Sequence, residues 1–419
     1  MMTIRMAPAA AALAIVLGTA PAFADAPKSG DPSFDRAVDL VEQEFYDPSA
    51  LPRFENNVRA TLQKLQPTGG ERAKPAAYSA AIGDVLASLG ASHTGHFTPD
   101  QLAYYELADI FRYNFRGDLR RLFPPEGHIN YPGIGIATEK LDGKVFVTDV
   151  YDGAPAAGAG VRVGDEIVSV DGAPFTEIDS FRGKEGKPVA LALRRDADAP
   201  PTTISITPLD LPAAGTLIDA ITHSARLVEV GGHHIGYLHI WTFAGGDVEQ
   251  AIDDALTGPL ASADALVVDL RGRWGGAPPD AAEIFLGGTP PFRFIGRDGK
   301  GEVSNVRWHK PIVALIDEGT RSGLEVFAYA LKAKGVPLIG SRTAGNLLGG
   351  RGYLLPDDSL LELAVAGVEV DGHKLEGVGV APDEAVPFDV RYAAGRDPQL
   401  DAAIKRAAEI LDQAPPKAG

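Results

Sequence analysis

Hydrophobic positions along this chain change their period twice. Phe34, Val38, Val41 and Phe45 recur near the 3.6-residue spacing of a helix, as do Phe54, Val58, Leu62 and Leu65, and then Tyr78, Ile82, Val85 and Leu89. Thr98-Pro99-Asp100-Gln101 reads as a helix start, with a capping-box Thr and Gln and a Pro at the first helical position. Residues 33 to about 115 are therefore predicted to be mostly helical. Gly90-Ala91-Ser92-His93-Thr94-Gly95-His96, between the third stripe and that cap, is predicted to be a short loop.

From about residue 131 the period drops to two. Val145, Val147 and Val150 predict one strand; Ile167, Val168 and Val170 predict another, ended by the Asp171-Gly172 turn. Two more are expected within 189–208. A Pro/Ala/Gly linker at 211–215 leads into a third regime, in which short apolar runs alternate with helical patterns. Ile235–Ile240, Ala265–Leu270, Ile312–Ile316 and Val336–Ile339 read as strands. Asp247–Leu256, Asp280–Leu286 and Leu324–Lys334 read as helices. That alternation predicts a mainly parallel, buried sheet. The expected architecture is multidomain α+β: a helical region at 25–127, a β-rich domain at 128–209, an α/β core at 217–392, and a C-terminal helix and tail at 393–419.

The first 24 residues stand apart. Arg5, the apolar run Ala9–Leu17 and Ala22-Phe23-Ala24 have the make-up of a secretory signal peptide cleaved near Ala24, which predicts a periplasmic or secreted protein. No later stretch is apolar enough to span a bilayer. The absence of cysteine excludes disulfides, thiolate metal sites and a cysteine nucleophile. A formal net charge of −17 argues against partners rich in phosphate, so neither nucleic acid nor an anionic membrane surface is expected.

Three segments carry candidate chemistry. In Lys310–Glu325 a buried strand runs into a tight turn, and Ser322 sits just ahead of a helix. It reads either as an N-cap or as a nucleophile whose oxyanion would meet the Gly323 amide at the helix start. In Ala265–Gly276 a buried strand ends in Asp269-Leu270-Arg271 and a glycine-rich turn whose amides can point at an anion. Leu375–Asp383 reads L-E-G-V-G-V-A-P-D, by itself a β-turn with a solvated Glu376. His93 and His96 form a His-x-x-His pair, but no third ligand is in view and no metal is expected. His233, His234 and His239 are expected to be exposed.

Taken together and in this order, Asp269–Gly276, Glu318–Glu325, Gly340–Gly345 and Gly379–Asp383 resemble the S41 peptidase core of C-terminal processing and tricorn-like proteases. The resemblance implies an α/β core of the ClpP/crotonase type. It departs from the processing proteases in two places. Arg273 and Trp274 replace the usual Asn and its successor, and Asn346 stands where those enzymes carry the general-base lysine. Leu89-Gly90-Ala91-Ser92-His93 instead matches the histidine segment of the tricorn-like branch. The resemblance then implies Ser322 as nucleophile, His93 as general base, Ser92 and Glu376 behind it, and an oxyanion hole from Gly323 with Gly275 or Gly276. Histidine suits the role because it titrates near neutral pH.

The β-rich domain resembles a PDZ domain through Gly153-Ala154-Pro155-Ala156 and Gly164-Asp165-Glu166-Ile167 to Val170-Asp171-Gly172. That resemblance implies a carboxylate-binding loop at Gly133-Ile134-Gly135-Ile136 that would receive a peptide C-terminus by strand addition. The expected function is an exported serine endopeptidase acting on protein or peptide chains without a cofactor, its PDZ domain recruiting or gating substrate. The alternative is an inactive peptide-binding protein on the same scaffold. Oligomeric state is left open.

Overall fold

The computed structural model describes residues 27–65, 73–286, 292–304 and 308–413; the signal-like segment lies outside them. The chain folds as a helical region, a small β domain and an α/β core, a multidomain α+β architecture. The helices Pro32–Glu44, Leu51–Leu65 and Pro75–Ala87 form where the apolar stripes predict them. Asp31 caps the first through its carboxylate, which accepts from the amides of Ser33 and Phe34. Their buried faces pack with Leu361, Leu363 and Ala364 of a strand far along the chain. The helical region is thus joined to the core by apolar burial rather than tethered to it.

Two expectations fail in this region. The Thr98–Gln101 turn is closed by Gln101 Oε1 accepting from the Thr98 amide, but the helix begins only at Leu102. The turn satisfies itself and leaves the helix without a side-chain cap. The predicted all-helical stretch also contains a strand, Gly95–Phe97, antiparallel to Leu360–Gly367 with Gly95 opposite Glu362. A three-residue strand shows no period, and its partner is remote in sequence. This pairing is what carries the Ser92-His93 loop to the core.

The β domain is a five-stranded antiparallel sheet from Ile136–Leu141, Lys144–Val150, Glu166–Val170, Val189–Arg194 and Thr202–Ile206, around Ile134, Val147, Ile167 and Leu191. The expected linker at 211–215 is not one. Leu209–Pro212 pairs with Asn130–Gly133, and a helix, Ala213–Ser224, follows at once. Pro212 ends the strand and Ala213 begins the helix, so the linker-like composition marks a joint between two ordered elements.

The core sheet has six strands. Arg226–Val230, His233–His239, Ala265–Asp269, Ile312–Ile316, Leu338–Gly340 and Glu384–Ala385 lie side by side in that order, all parallel except the first pair. Ala265–Asp269 and Ile312–Ile316 are buried along their whole length, as central strands of a sheet covered on both faces should be. One face is covered by the C-terminal helix Pro398–Gln413 through Ala403 and Ala407. Residues 280–282 form turns, and only Glu283–Leu286 is helical. The carboxyl ends of the two central strands lie together, and the glycine turn and Ser322 both follow from them.

Candidate active site

After Ile316 the chain is held in a fixed turn. Asp317 accepts from the amides of Gly319 and Thr320, and the Thr320 hydroxyl donates to the Leu270 carbonyl of the neighbouring strand end. Ser322 follows with φ +56° and ψ −130°, a left-handed conformation that costs a non-glycine residue roughly 1–3 kcal/mol. Its amide donates to the Asn346 carbonyl at 2.9 Å, and its carbonyl accepts from Glu325 at 2.8 Å. The side chain makes no capping bond to the helix Gly323–Ala333. The hydroxyl lies 3.0 Å from His93 Nε2 instead. Two residues 229 positions apart thus meet at hydrogen-bond distance.

His93 is itself left-handed, with φ +51°, and buried. Its Nδ1 is 3.0 Å from Ser92 Oγ, which donates to Glu376 Oε2 at 2.8 Å. Glu376 also accepts from the amides of Ser92, at 3.0 Å, and Leu347, at 2.7 Å. The chain of bonds fixes the tautomer. Glu376 can only accept, so Ser92 Oγ donates to it and must accept from His93 Nδ1–H. Nε2 is then left as the acceptor facing the Ser322 hydroxyl. Burial, reinforced by the Arg321 charge, pushes the His93 pKa down to about 4. The imidazole is therefore neutral at neutral pH, as a proton acceptor must be.

Gly275 lies against Ser322. A Cβ there would fall 2.4 Å from Ser322 Cβ and 2.6 Å from the Gly323 nitrogen, so only glycine lets the two turns touch. Gly276, at φ +81°, instead packs on Ala244. Among the described residues, no acceptor reaches the amides of Gly275 or Gly323. Of the two candidates from the turn, Gly275 is the one beside Ser322.

The family motifs do separate work around this centre. Asp269 and Arg271 pair at 2.6 Å, and Arg271 also pairs with Asp397 ahead of the C-terminal helix. Burial alone would raise the Asp269 pKa, but Arg271 and His239 hold it down to about 2. Glu325 clamps the Thr343–Asn346 segment, accepting from Thr343 Oγ1 and from the amides of Gly345 and Asn346. Asn346, at the processing enzymes' lysine position, thus holds the backbone of Ser322. Lys332 is committed to Asp383 at 2.9 Å and cannot serve as the base.

Two features were missed from sequence. Glu106, buried in the helix Leu102–Ile110, accepts from Arg273 Nε at 2.5 Å, Trp274 Nε1 at 2.8 Å and Tyr151 of the β domain at 3.3 Å. Glu362 is buried next to His93. A Cβ on Gly350 would meet His93 Cδ2 at 3.0 Å and Glu362 Oε1 at 3.1 Å. Burial raises the Glu362 pKa to about 7, against the pull of Arg321. A lone acid inside an apolar run was the available signal in both cases. His239, expected to be exposed, is buried: it stacks on Trp241 at 3.6 Å between ring centres and binds the Arg271 carbonyl. His96 bonds to Ser359 Oγ, and no metal-binding cluster occurs among the described residues. The four residues of the implied carboxylate loop, Gly133–Ile136, are all buried in this conformation. The carbonyls of Ile134 and Gly135 are taken by the amides of Ala156 and Tyr151.

The family model for peptidase family S41 matches residues 234–386, and the PDZ domain model matches 132–206. Residues 234–386 thus resemble a peptidase family S41 domain, and 132–206 a PDZ domain. A tricorn protease homolog of Streptomyces coelicolor is 28% identical over 407 residues, covering 92% of this chain and 32% of the relative. Carboxyl-terminal-processing peptidase 3 of Arabidopsis thaliana chloroplasts is 26% identical, covering 82% of this chain and 66% of the relative. This chain thus spans about a third of the first relative's length and about two thirds of the second's. Among solved structures, an S41 protease from Bacteroides fragilis matches with a TM-score of 0.51 at 17% identity, covering 90% of this chain and 97% of that one. The tricorn protease matches with 0.50 at 18%, covering 91% and 36%. At these identities the structures speak for a shared fold. No helix among the described residues is long and apolar enough to cross a membrane.

Proposed function

We propose that this chain is an exported serine endopeptidase that cleaves protein or peptide chains through an acyl-enzyme on Ser322. One observation carries the reading: the unbroken hydrogen-bonded path from Ser322 through His93 and Ser92 to Glu376. In the first half-reaction the Ser322 oxygen attacks the scissile carbonyl while Nε2 of neutral His93 takes its proton. The imidazolium that forms is stabilised through Ser92 by the Glu376 carboxylate. It then gives the proton to the leaving amine. The amides of Gly275 and Gly323 receive the oxyanion. In the second half-reaction water, deprotonated by the same histidine, releases the acyl group. Asn346 in place of lysine no longer favours the inactive alternative, since this path does not use that position.

The PDZ domain is read as the module that recruits or gates the polypeptide. Its implied carboxylate loop is buried here, so binding a peptide C-terminus would require that segment to open. Export rests on the make-up of Met1–Ala24.

The test is digestion of a disordered protein such as casein by residues 25–419, beside Ser322→Ala and His93→Ala, with products identified by mass spectrometry. Cleavage by the parent that both substitutions abolish is the expected result. Cleavage lost only with Ser322→Ala would remove His93 from its role. No cleavage by the parent, with or without added C-terminal peptides, would return the reading to a binding protein.

A further inference from the structure

A cleft of about 1310 Å³ opens between the β domain and the core, with Arg321 and Asn346 on its wall beside Ser322. Most arginines on that wall are spoken for. Arg271 pairs with Asp269 and Asp397, Arg273 with Glu106, and Arg391 with Asp142 and Asp389. Arg321 is different. It is half-buried, its guanidinium lies 5.1 Å from the centre of the Trp274 ring, and no described residue gives it a hydrogen bond or an ion pair. The carboxylates that influence it do not engage it. Glu325 is spent on Thr343 and two amides, and Glu376 on Ser92 and Leu347. Glu362 has its pKa raised to about 7, so at neutral pH it supplies only a partial charge.

A guanidinium stays charged in proteins, and one that lines a cleft half-buried with no protein anion on it is free to pair with an anion brought there. Its planar fork of N–H groups fits a carboxylate best. Trp274, itself held by Glu106, orients that fork. We infer, on the basis of the peptidase reading, that Arg321 is a specificity-determining residue that receives a carboxylate of the bound polypeptide. Because Arg321 adjoins Ser322, and an extended chain advances about 3.3–3.6 Å per residue, that carboxylate lies within about two residues of the scissile bond. The site is local. Elsewhere the cleft wall carries Glu139, Asp152 and Glu318, which repel anions. The carboxylate has two sources, an Asp or Glu side chain or the chain's own C-terminus.

The experiment uses fluorescein-labelled octapeptide pairs built on a site cleaved in casein, or on a casein-derived sequence if none is cleaved. Within each pair, Asp or Glu near the site is exchanged for Asn or Gln, or a free C-terminus for its carboxamide. The ratio of kcat/KM within each pair is compared for the parent, Arg321→Met and Arg321→Lys. The parent should prefer the carboxylate by about 10- to 100-fold, the scale of a charge-assisted pair. Arg321→Met should bring the ratio near one, and Arg321→Lys should keep part of it. Preference in the Asp/Asn pairs assigns the side chain; preference in the terminal pair assigns the C-terminus. A ratio near one in the parent, or one that persists in Arg321→Met, overturns the proposal. The same ratios read as affinities by anisotropy on Ser322→Ala, with and without Arg321→Met, need no turnover. Arg321-dependent binding without cleavage would sink the peptidase reading and keep the carboxylate site. Cleavage without preference would do the reverse.

Discussion

Two residues from the N-terminal helical region reach into the core, and they do so in opposite ways. Glu106 arrives on a regular helix, fully buried, with Arg273, Trp274 and Tyr151 all donating to it. Its bonding capacity is used up, and its charge is compensated by a neighbour that moves no proton. His93 arrives on a strained loop and meets a strained serine, each with φ above +50°. Its one free acceptor faces a hydroxyl whose oxygen has work left to do. The first cluster is a strut joining three parts of the molecule. The second, on the function proposed above, is a proton path. What separates them is unused capacity beside strained backbone, since both are buried and polar.

The sharpest way to break the comparison is at the proton path. Ser322→Ala and His93→Ala should each lower kcat by about 10⁴- to 10⁶-fold, and the double substitution should cost little more than either, because the two act as a unit. Thermal unfolding of both variants should stay within a few degrees of the parent. The strut should respond the other way. Glu106→Ala strands the buried Arg273 charge and should lower stability by about 3–5 kcal/mol in a urea titration. If Glu106→Ala instead left stability intact while abolishing turnover, the carboxylate would belong to the chemistry. Further from the reacting atoms, Glu376→Gln keeps the size but weakens the hold on Ser92. It should cost about 10²-fold in kcat, and Ser92→Ala about tenfold, with KM little changed in both.

Acid titration gives the smallest but most specific effect. A base with a depressed pKa is neutral, and so competent, at every pH above that value. The acid limb of kcat/KM should therefore fall near pH 4, and not near the ordinary histidine value of 6.5. Arg321 helps hold it there, so Arg321→Met should move the limb upward. Glu362, Glu376 and Arg321 are the charged groups facing this loop, and ionisation of Glu362 through pH 7 should bend the upper part of the profile only slightly.

Periodicity gave access to the long helices and the buried strands, because each repeats its apolar signal over three or more turns or along a whole strand. Elements that lean on remote partners left no such trace. The strand Gly95–Phe97 and the Leu209–Pro212 pairing are too short to show a period, yet the first of them delivers His93. The candidate quartet of site residues came from resemblance in short motifs. Its distances depend on the packing of the helical region against the core, which no local pattern encodes. Glu106 and Glu362 were each visible as a single acid in an apolar run. Arg273-Trp274 stood out as a departure from the family's turn, but its partner could not be guessed from the same stretch.

The most direct test of the central claim is labelling of the intact protein with a fluorophosphonate. An activated serine oxygen attacks phosphorus and expels fluoride, which leaves a stable adduct whose position peptide mass spectrometry can read. The account predicts a single adduct on Ser322 at neutral pH, lost in His93→Ala while that variant remains folded by circular dichroism. No adduct on the folded parent, or equal labelling with and without His93, would contradict it.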